Sequence, residues 1–453
     1  MRTYPDSSPW VKPIITLVLA LLVGAGLGVA TAVLTSQVFV ALVGVTALAA
    51  VWWLVKIPAL TVLTFLLGYT LQRSVLYGSS IEGLYYPIYA LMFLNIFLLV
   101  ISRRFTLPVQ LASLYFSFYF VALLGLFNLY SEWDRNITQQ LFVYGLGLLV
   151  FLQFKTRKSF YVVYWGQALL SLYISAWTIS TALQGGLTWR GGISGDQNNV
   201  SLIIILGMLP LVTTIFAERT VSSMVKLLSW LGLGVGMYAL FILASRGMTS
   251  AFVFTLVALG ARAFRSPKRV LSILLGASLI TLTLMQLPGT NILFERFSET
   301  DDVAAAGGRV QLWGISLDIV RESEPTKLVL GHGFRASRVL VGQGTVAGTE
   351  ESTHNSYLQM LIDFGIVGLG FFLALHAAAL RLLWARSDTL SLYASGCVVF
   401  LLLSALTLNL ADNFLYWIFL GYALAVAYFQ KPVEPAQFST KPVSADNTHL
   451  LHK

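Results

Sequence analysis

Charge is what this chain has least of. Of 453 residues, 11% are Asp, Glu, Lys or Arg, where soluble globular chains carry roughly 25%. Hydrophobic residues make up 57%, and the mean hydropathy is +0.77. That leaves too few water-compatible groups to cover a surface in contact with water, which excludes an ordinary soluble domain. Cysteine is almost absent as well. Cys397 is alone and lies in an apolar run, so no intrachain disulfide can form. No Cys/His cluster has metal-ligand spacing. The net charge of +9 could suggest nucleic acid, but the basic residues fall in short groups between apolar runs. That is the pattern of membrane anchoring and argues against nucleic acid as a partner. No internal repeat is evident. Residues Met1 to Lys12 are polar and Pro13 opens an apolar run with no small-residue cleavage site, so a retained first helix is expected.

What is present is a series of apolar runs. A helix crosses the hydrocarbon core in roughly 20 residues. On that measure, spans are expected near 13–34, 38–55, 57–72, 84–101, 107–130, 137–153 and 159–183. Further spans are expected near 200–217, 226–244, 249–264, 270–287, 357–384, 388–408 and 411–429. The runs 57–72 and 249–264 are short, so the expected fold is an all-α polytopic membrane protein of about twelve to fourteen transmembrane helices. With a cytoplasmic N-terminus, one side receives Arg103, Arg104, Lys155, Arg157, Lys158, Arg262, Arg265, Lys268, Arg269, Arg381 and Arg386, among others. The short connections of the other side hold only Arg73, Arg135, Arg190 and Arg246. This asymmetry puts both termini inside and the long segment 288–356 outside. The expected organisation is 1–287 with eleven spans, 288–356 as a large outer loop, 357–429 with three spans, and 430–453 as a disordered tail.

The outer loop has structure of its own. In GGRVQLWGISLDIVRE, Leu312, Ile315 and Ile319, with Trp313, Leu317 and Val320, recur at helical spacing. They predict a helix of roughly three turns lying on the membrane or on the bundle, opened by Gly307 and Gly308. Connections this long without a role are uncommon, so a lid or a site is the expectation.

Four outward features carry chemistry. Arg190 stands among glycines in WRGGISGDQNN, the stretch that also holds Asn198. Arg246 is wedged between two apolar runs in SRG. Arg309 opens the outer helix. His354 stands with Asn355 in STHNSYLQML, at the mouth of a helix. Each has a plainer reading. Arg190 can anchor at the headgroups by snorkelling, and a helix-starting Arg309 can simply be solvated. Arg246 is harder to dismiss, because charge at depth costs roughly 2.5–3.5 kcal/mol on insertion scales and needs a cavity or a partner. Of five histidines, only His332 and His354 fall outward. A base active near neutral pH therefore has two candidates. His332 lies between glycines, as suits a turn; His354 follows Ser352 and Thr353, which are expected to cap the next helix. Three arginines and a helix N-terminus suit a phosphorylated ligand and can neutralise a leaving diphosphate without a metal. No DxD or paired carboxylates stand on that face, and no cofactor is expected. Sugar nucleotides belong to the opposite side, whereas a lipid-linked diphosphate can be presented from the membrane.

With these pieces in order, the sequence resembles the bacterial O-antigen ligase / O-antigen polymerase family from about residue 185 to 420. The resemblance rests on WRGGISGDQNN, SRG at 245–247, GGRVQLW, LGHGF at 330–334 and HNSYLQMLIDFGIVG. It implies a GT-C-like bundle in the bacterial inner membrane with a large periplasmic loop. The implied donor is an undecaprenyl-diphosphate-linked glycan, and the acceptor is a lipid A-core or another glycan. It also implies that Arg190, Arg246 and Arg309 bind the donor diphosphate and that His354 activates the acceptor hydroxyl, with Asn355, Asn198 and His332 in support. Two other classes compete. A lipid-linked glycan flippase should show related halves and mid-membrane ionisable residues, yet after the first loop only Asp363 and Asp412 come near spans. A membrane scaffold would leave Arg246 unexplained.

Overall fold

The computed structural model describes residues 57–74, 109–128, 135–154, 156–185, 197–217, 221–263, 308–345 and 351–429, with short pieces at 282–283, 286–287 and 293. The expected spans 13–34, 38–55 and 84–101, most of 270–287, the tail 430–453 and Arg190 lie outside the described residues. The described residues are all-α. Their helices are α1 (Pro58–Ser74), α2 (Val109–Leu124), α3 (Arg135–Gln153), α4 (Arg157–Gly185), α5 (Gln197–Phe216), α6 (Ser223–Leu243) and α7 (Arg246–Ala263). They continue with α8 (Arg309–Glu322), α9 (Pro325–Leu330), α10 (Ala336–Gln343), α11 (Ser356–Trp384), α12 (Thr389–Ser404) and α13 (Phe414–Phe429).

The segments Arg157–Gln184, Gln197–Phe216, Ser223–Leu243 and Ser356–Trp384 are long and apolar enough to cross a membrane. The bundle also presents apolar stripes to its surroundings. Met224, Leu227, Leu228, Leu231 and Val235 are exposed along α6, as are Val253, Phe254 and Val257 along α7 and Phe116, Phe120 and Leu124 along α2. Each set recurs at helical spacing, which is a helix face solvated by lipid. The chain is an all-α polytopic membrane protein. Helix α13 is different: it is buried all round, with α3 and α12 against it. It approaches α3 so closely that a Cβ added to Gly421 would land on the Gly147 carbonyl. Small residues allow such contact where no hydrophobic effect between helices drives packing.

The core is aromatic. Trp417 stacks on Phe118 at 5.2 Å between centroids and meets Tyr144 edge-on at 5.3 Å. Phe364 and Phe334 extend the cluster outward, with Phe334 edge-on to Phe364 at 5.0 Å. At the end of α7, Arg262 donates to Ser395 Oγ and to the carbonyls of Leu383 and Arg386, and Arg386 donates to Val426 O at 3.1 Å. These guanidinium groups satisfy carbonyls that helix ends leave open.

Among the described residues, the last two spans are shorter than expected. The runs 388–408 and 411–429 become α12 and α13, and residues 405–413 leave the helices to wrap the start of α11. Ser356 N donates to Ala405 O (2.8 Å), Ser356 Oγ donates to Leu408 O (2.7 Å), and Leu410 N donates to Ser356 Oγ (2.7 Å). Hydrophobicity extends through this loop in Leu406, Leu408 and Leu410, which hides the break from a hydropathy reading.

Candidate functional site

The helices that begin at Gln197, Arg246, Arg309 and Ser356 are tied together at their starts. At the α6–α7 junction the chain turns through Ala244, which has φ 49°, and α7 begins two residues later at Arg246. Ser245 Oγ donates to Asn198 Oδ1 at 2.7 Å, which fixes this junction to the first turn of α5. Asn413 Nδ2 donates to Asn199 Oδ1 at 2.9 Å, joining that same turn to the 405–413 loop. Asn409 of the loop accepts through Oδ1 from Asn355 N (3.0 Å) and from Thr353 Oγ1 (2.8 Å), at the start of α11. Helix α8 joins through Trp313, whose Nε1 donates to Thr353 O at 3.1 Å. Arg309 lies four residues before Trp313, one turn away along α8. Four helix N-termini are thereby linked, each the positive end of its helix dipole, although the first N–H groups of α11 are already bonded to Ala405 O and Asn355 Oδ1.

The cap of α11 differs from expectation. The capping residue is Asn355, whose side chain accepts from Tyr357 N (2.9 Å) and Leu358 N (3.1 Å), rather than Ser352 or Thr353. The reason is the backbone of His354, held at φ 47°. This left-handed step places Asn355, not the earlier hydroxyls, one residue ahead of the first helical turn. His354, Arg246 and Arg309 are all half-buried. Among the described residues, the non-glycine residues with positive φ are Ala244, Arg335 and His354. Two of the three flank the converging helix starts, where strained backbone is held by surrounding structure.

The expected outer helix is observed as α8, and it lies on the bundle. Leu312, Ile315 and Ile319 pack with Ala336 and Val341 of α10 and Ile362 of α11, while Leu317 is exposed. The segment LGHGF is the hinge of this outer layer. Helix α11 breaks at Gly365 (φ 66°, ψ −170°), and the carbonyls at the break accept from the hinge. His332 N donates to Ile362 O at 2.8 Å, and Gly333 N donates to Asp363 O at 2.9 Å. Gly331 (φ 85°) approaches the same backbone so closely that a Cβ would strike the Asp363 carbonyl. Phe334 then plugs the core beside Tyr144 and Phe364. His332 bonds to Ser323 Oγ through Nε2 at 2.7 Å. Burial and the nearby Lys327 cation lower its pKa, with Glu324 opposing them. It belongs to the hinge between outer helices, whereas His354 belongs to the converging starts.

Several polar residues at this end were not assigned to the site from sequence. Arg338 Nη2 pairs with Asp412 Oδ2 at 3.1 Å, and Gln359 Nε2 donates to Asp412 Oδ1 at 2.9 Å. Asp363 Oδ1 accepts from Ser337 N at 2.8 Å, so a buried carboxylate holds the start of α10. Together these bolt α10 to α11 and to the 405–413 loop. A signal was there to read: LNLADN crowds two Asn and one Asp into six residues between apolar runs.

Residues 227–373 match the family model described as O-antigen ligase. The match takes in Arg246, Arg309, His332, His354 and Asn355, and leaves Arg190 and Asn198 outside. No curated protein matches the chain. The matched stretch lies within the 185–420 segment expected from the motifs, spans α6 to the middle of α11, and contains three of the four helix starts described above. Over residues 227–373, this membrane protein is similar to the O-antigen ligase family.

Proposed function

We propose that the chain transfers a glycan from an undecaprenyl-diphosphate carrier to an acceptor hydroxyl at the periplasmic face of a bacterial inner membrane, with both termini cytoplasmic. The acceptor is a lipid A-core in a ligase or a further repeat unit in a polymerase. In this reading Arg190, Arg246 and Arg309 hold the donor diphosphate, and His354 takes the acceptor proton. The acceptor oxygen attacks the anomeric carbon, the bond from that carbon to the diphosphate oxygen breaks, and the diphosphate departs on its lipid. The hydroxyl proton passes to His354.

The observation that carries the reading is the convergence of the α5, α7, α8 and α11 starts, tied by Ser245–Asn198, Asn413–Asn199, Asn409–Asn355 and Trp313–Thr353. The positive ends of these helix dipoles, with Arg246 and Arg309 on the first turns of α7 and α8, suit a leaving group that gains negative charge. His354, half-buried just before α11, supplies the side-chain type most used as a general base.

The test is complementation of a deletion in the native host. His354→Ala should insert and bind donor, yet lose transfer by roughly 10²–10⁴-fold, the range for removal of a general base. Arg246→Lys should raise the donor concentration needed for half-maximal transfer, because an ammonium cannot reproduce the fork. Full transfer by His354→Ala sinks the base assignment. The deletion itself separates the two acceptors. Single repeats still attached to their acceptor indicate a polymerase, whereas finished polymer accumulating on the carrier lipid indicates a ligase.

A further inference from the structure

We propose that Asn409, acting with Thr353, is a positioning residue for His354. The proposal rests on the reading of His354 as the base and adds the group that sets its direction. His354 occupies the left-handed region at φ 47°, which side-chain-bearing residues rarely adopt without outside support. Its two chain neighbours supply that support through one atom. Asn409 Oδ1 accepts from Thr353 Oγ1 at 2.8 Å on one side of His354 and from Asn355 N at 3.0 Å on the other. The single Thr353 hydroxyl proton is shared between Asn409 Oδ1 and Asn355 O (2.9 Å), and the same oxygen accepts from Asn355 N (3.3 Å), closing a small ring around the histidine's backbone.

The anchor is itself fixed. Leu408 O and Leu410 N, on either side of Asn409, both bond to Ser356 Oγ. Thr353 O is held by Trp313 of α8, so the ring also registers the Arg309 helix against the start of α11. Asn355 cannot provide an alternative, because its side chain already caps α11. Without the Asn409 acceptor, the Asn355 amide keeps only its longer bond to Thr353 Oγ1 (3.3 Å), and the left-handed step at His354 loses its main support. Relaxation of that step towards negative φ redirects Cβ and with it the imidazole. Misplacement of a reacting group by about 1 Å costs on the order of 10²-fold in rate.

The variants Asn409→Ala, Asn409→Asp and Thr353→Val discriminate this role. Asn409 Nδ2 has no hydrogen-bond partner among the described residues, so Asn409→Asp keeps the acceptor and removes no bond. The full-length chain is assayed in membranes of the deletion host, using the lipid-linked glycan accumulated there as donor. Backbone hydrogen exchange over residues 352–358 is followed in parallel on purified chain in lipid nanodiscs. Asn409→Ala and Thr353→Val should lower transfer at saturating donor by roughly 10- to 100-fold. The half-saturating donor concentration should stay unchanged, and exchange at the Asn355 amide should rise. Asn409→Asp should recover both rate and protection.

Parental rate and exchange in Asn409→Ala overturn the proposal. So does a raised half-saturating concentration with an unchanged maximal rate, which would make Asn409 a donor-binding group. Failure of Asn409→Asp to outperform Asn409→Ala has the same force. Should Asn409→Ala not accumulate in folded form, Thr353→Val carries the same test. The base reading fails separately, through an active His354→Ala, while exchange at Asn355 still reports whether Asn409 holds the segment.

Discussion

The two outward histidines are separated by what their surroundings ask of them. His354 sits on a strained backbone between donors that share Asn409, at a place where helix starts meet. His332 sits in a hinge, with its backbone N–H on Ile362 O and its ring on Ser323. Its lowered pKa has a consequence for stability. The folded state holds the ring neutral below the ordinary histidine pKa of about 6.5, whereas the unfolded chain takes up a proton there. Stability is therefore complete above that value and declines as pH falls towards the folded pKa, below which the loss levels off. Thermal midpoints in detergent should drop across this window in the parent chain. His332→Gln can keep a bond to Ser323 without titrating, and should flatten that part of the profile. An unchanged profile would remove His332 as the source.

At the scale of elements, two motifs that look independent in sequence are one device. LGHGF and IDFG meet where α11 breaks at Gly365, and the turn donates N–H groups to the carbonyls at the break. Gly331 (φ 85°, ψ 172°) and Gly365 (φ 66°, ψ −170°) lie in a region of φ and ψ that is essentially glycine-only. Gly365→Ala should cost roughly 1–3 kcal/mol in backbone strain, with more from the clash of its Cβ with the Val329 carbonyl. Gly370→Ala is the matched control, since it lies in the same helix with nothing within 4 Å of its Cβ. That change should be neutral or stabilise by roughly 0.5–1 kcal/mol. A thermal midpoint for Gly365→Ala equal to that of Gly370→Ala would refute the interlock. The individual helices were legible because hydrophobic periodicity is local: Leu312, Ile315 and Ile319 announce both α8 and its buried face. The pairing of LGHGF with IDFG was not, because backbone-to-backbone bonds leave no side-chain pattern to read. The 405–413 loop was hidden for a related reason. Its leucines continue the apolar run, while Asn409, Asp412 and Asn413 reveal their purpose only once α5, α10 and α11 stand beside them.

For the whole molecule, the site and the arginine cluster occupy opposite ends of the same helices. Helices α7 and α11 start at the convergence, with Arg246 and His354, and finish where Arg262 and Arg386 bind the terminal carbonyls. In the proposed orientation, which follows the clustering of basic residues in the sequence, that second end is cytoplasmic and the first faces outward. Neither end can be exchanged without inverting every helix between them, so a single measurement at each end decides the orientation of the bundle. The near absence of cysteine makes the measurement clean, because Cys397 is fully buried. Gln343, at the end of α10, and Ser387, between α11 and α12, are both exposed. In intact cells of the host with its outer membrane made permeable, a membrane-impermeant maleimide should label Gln343→Cys. It should reach Ser387→Cys only after the inner membrane is opened. The reverse pattern would place the converging helix starts, His354 among them, in the cytoplasm. A lipid-linked donor presented at the outer leaflet could not then be their substrate.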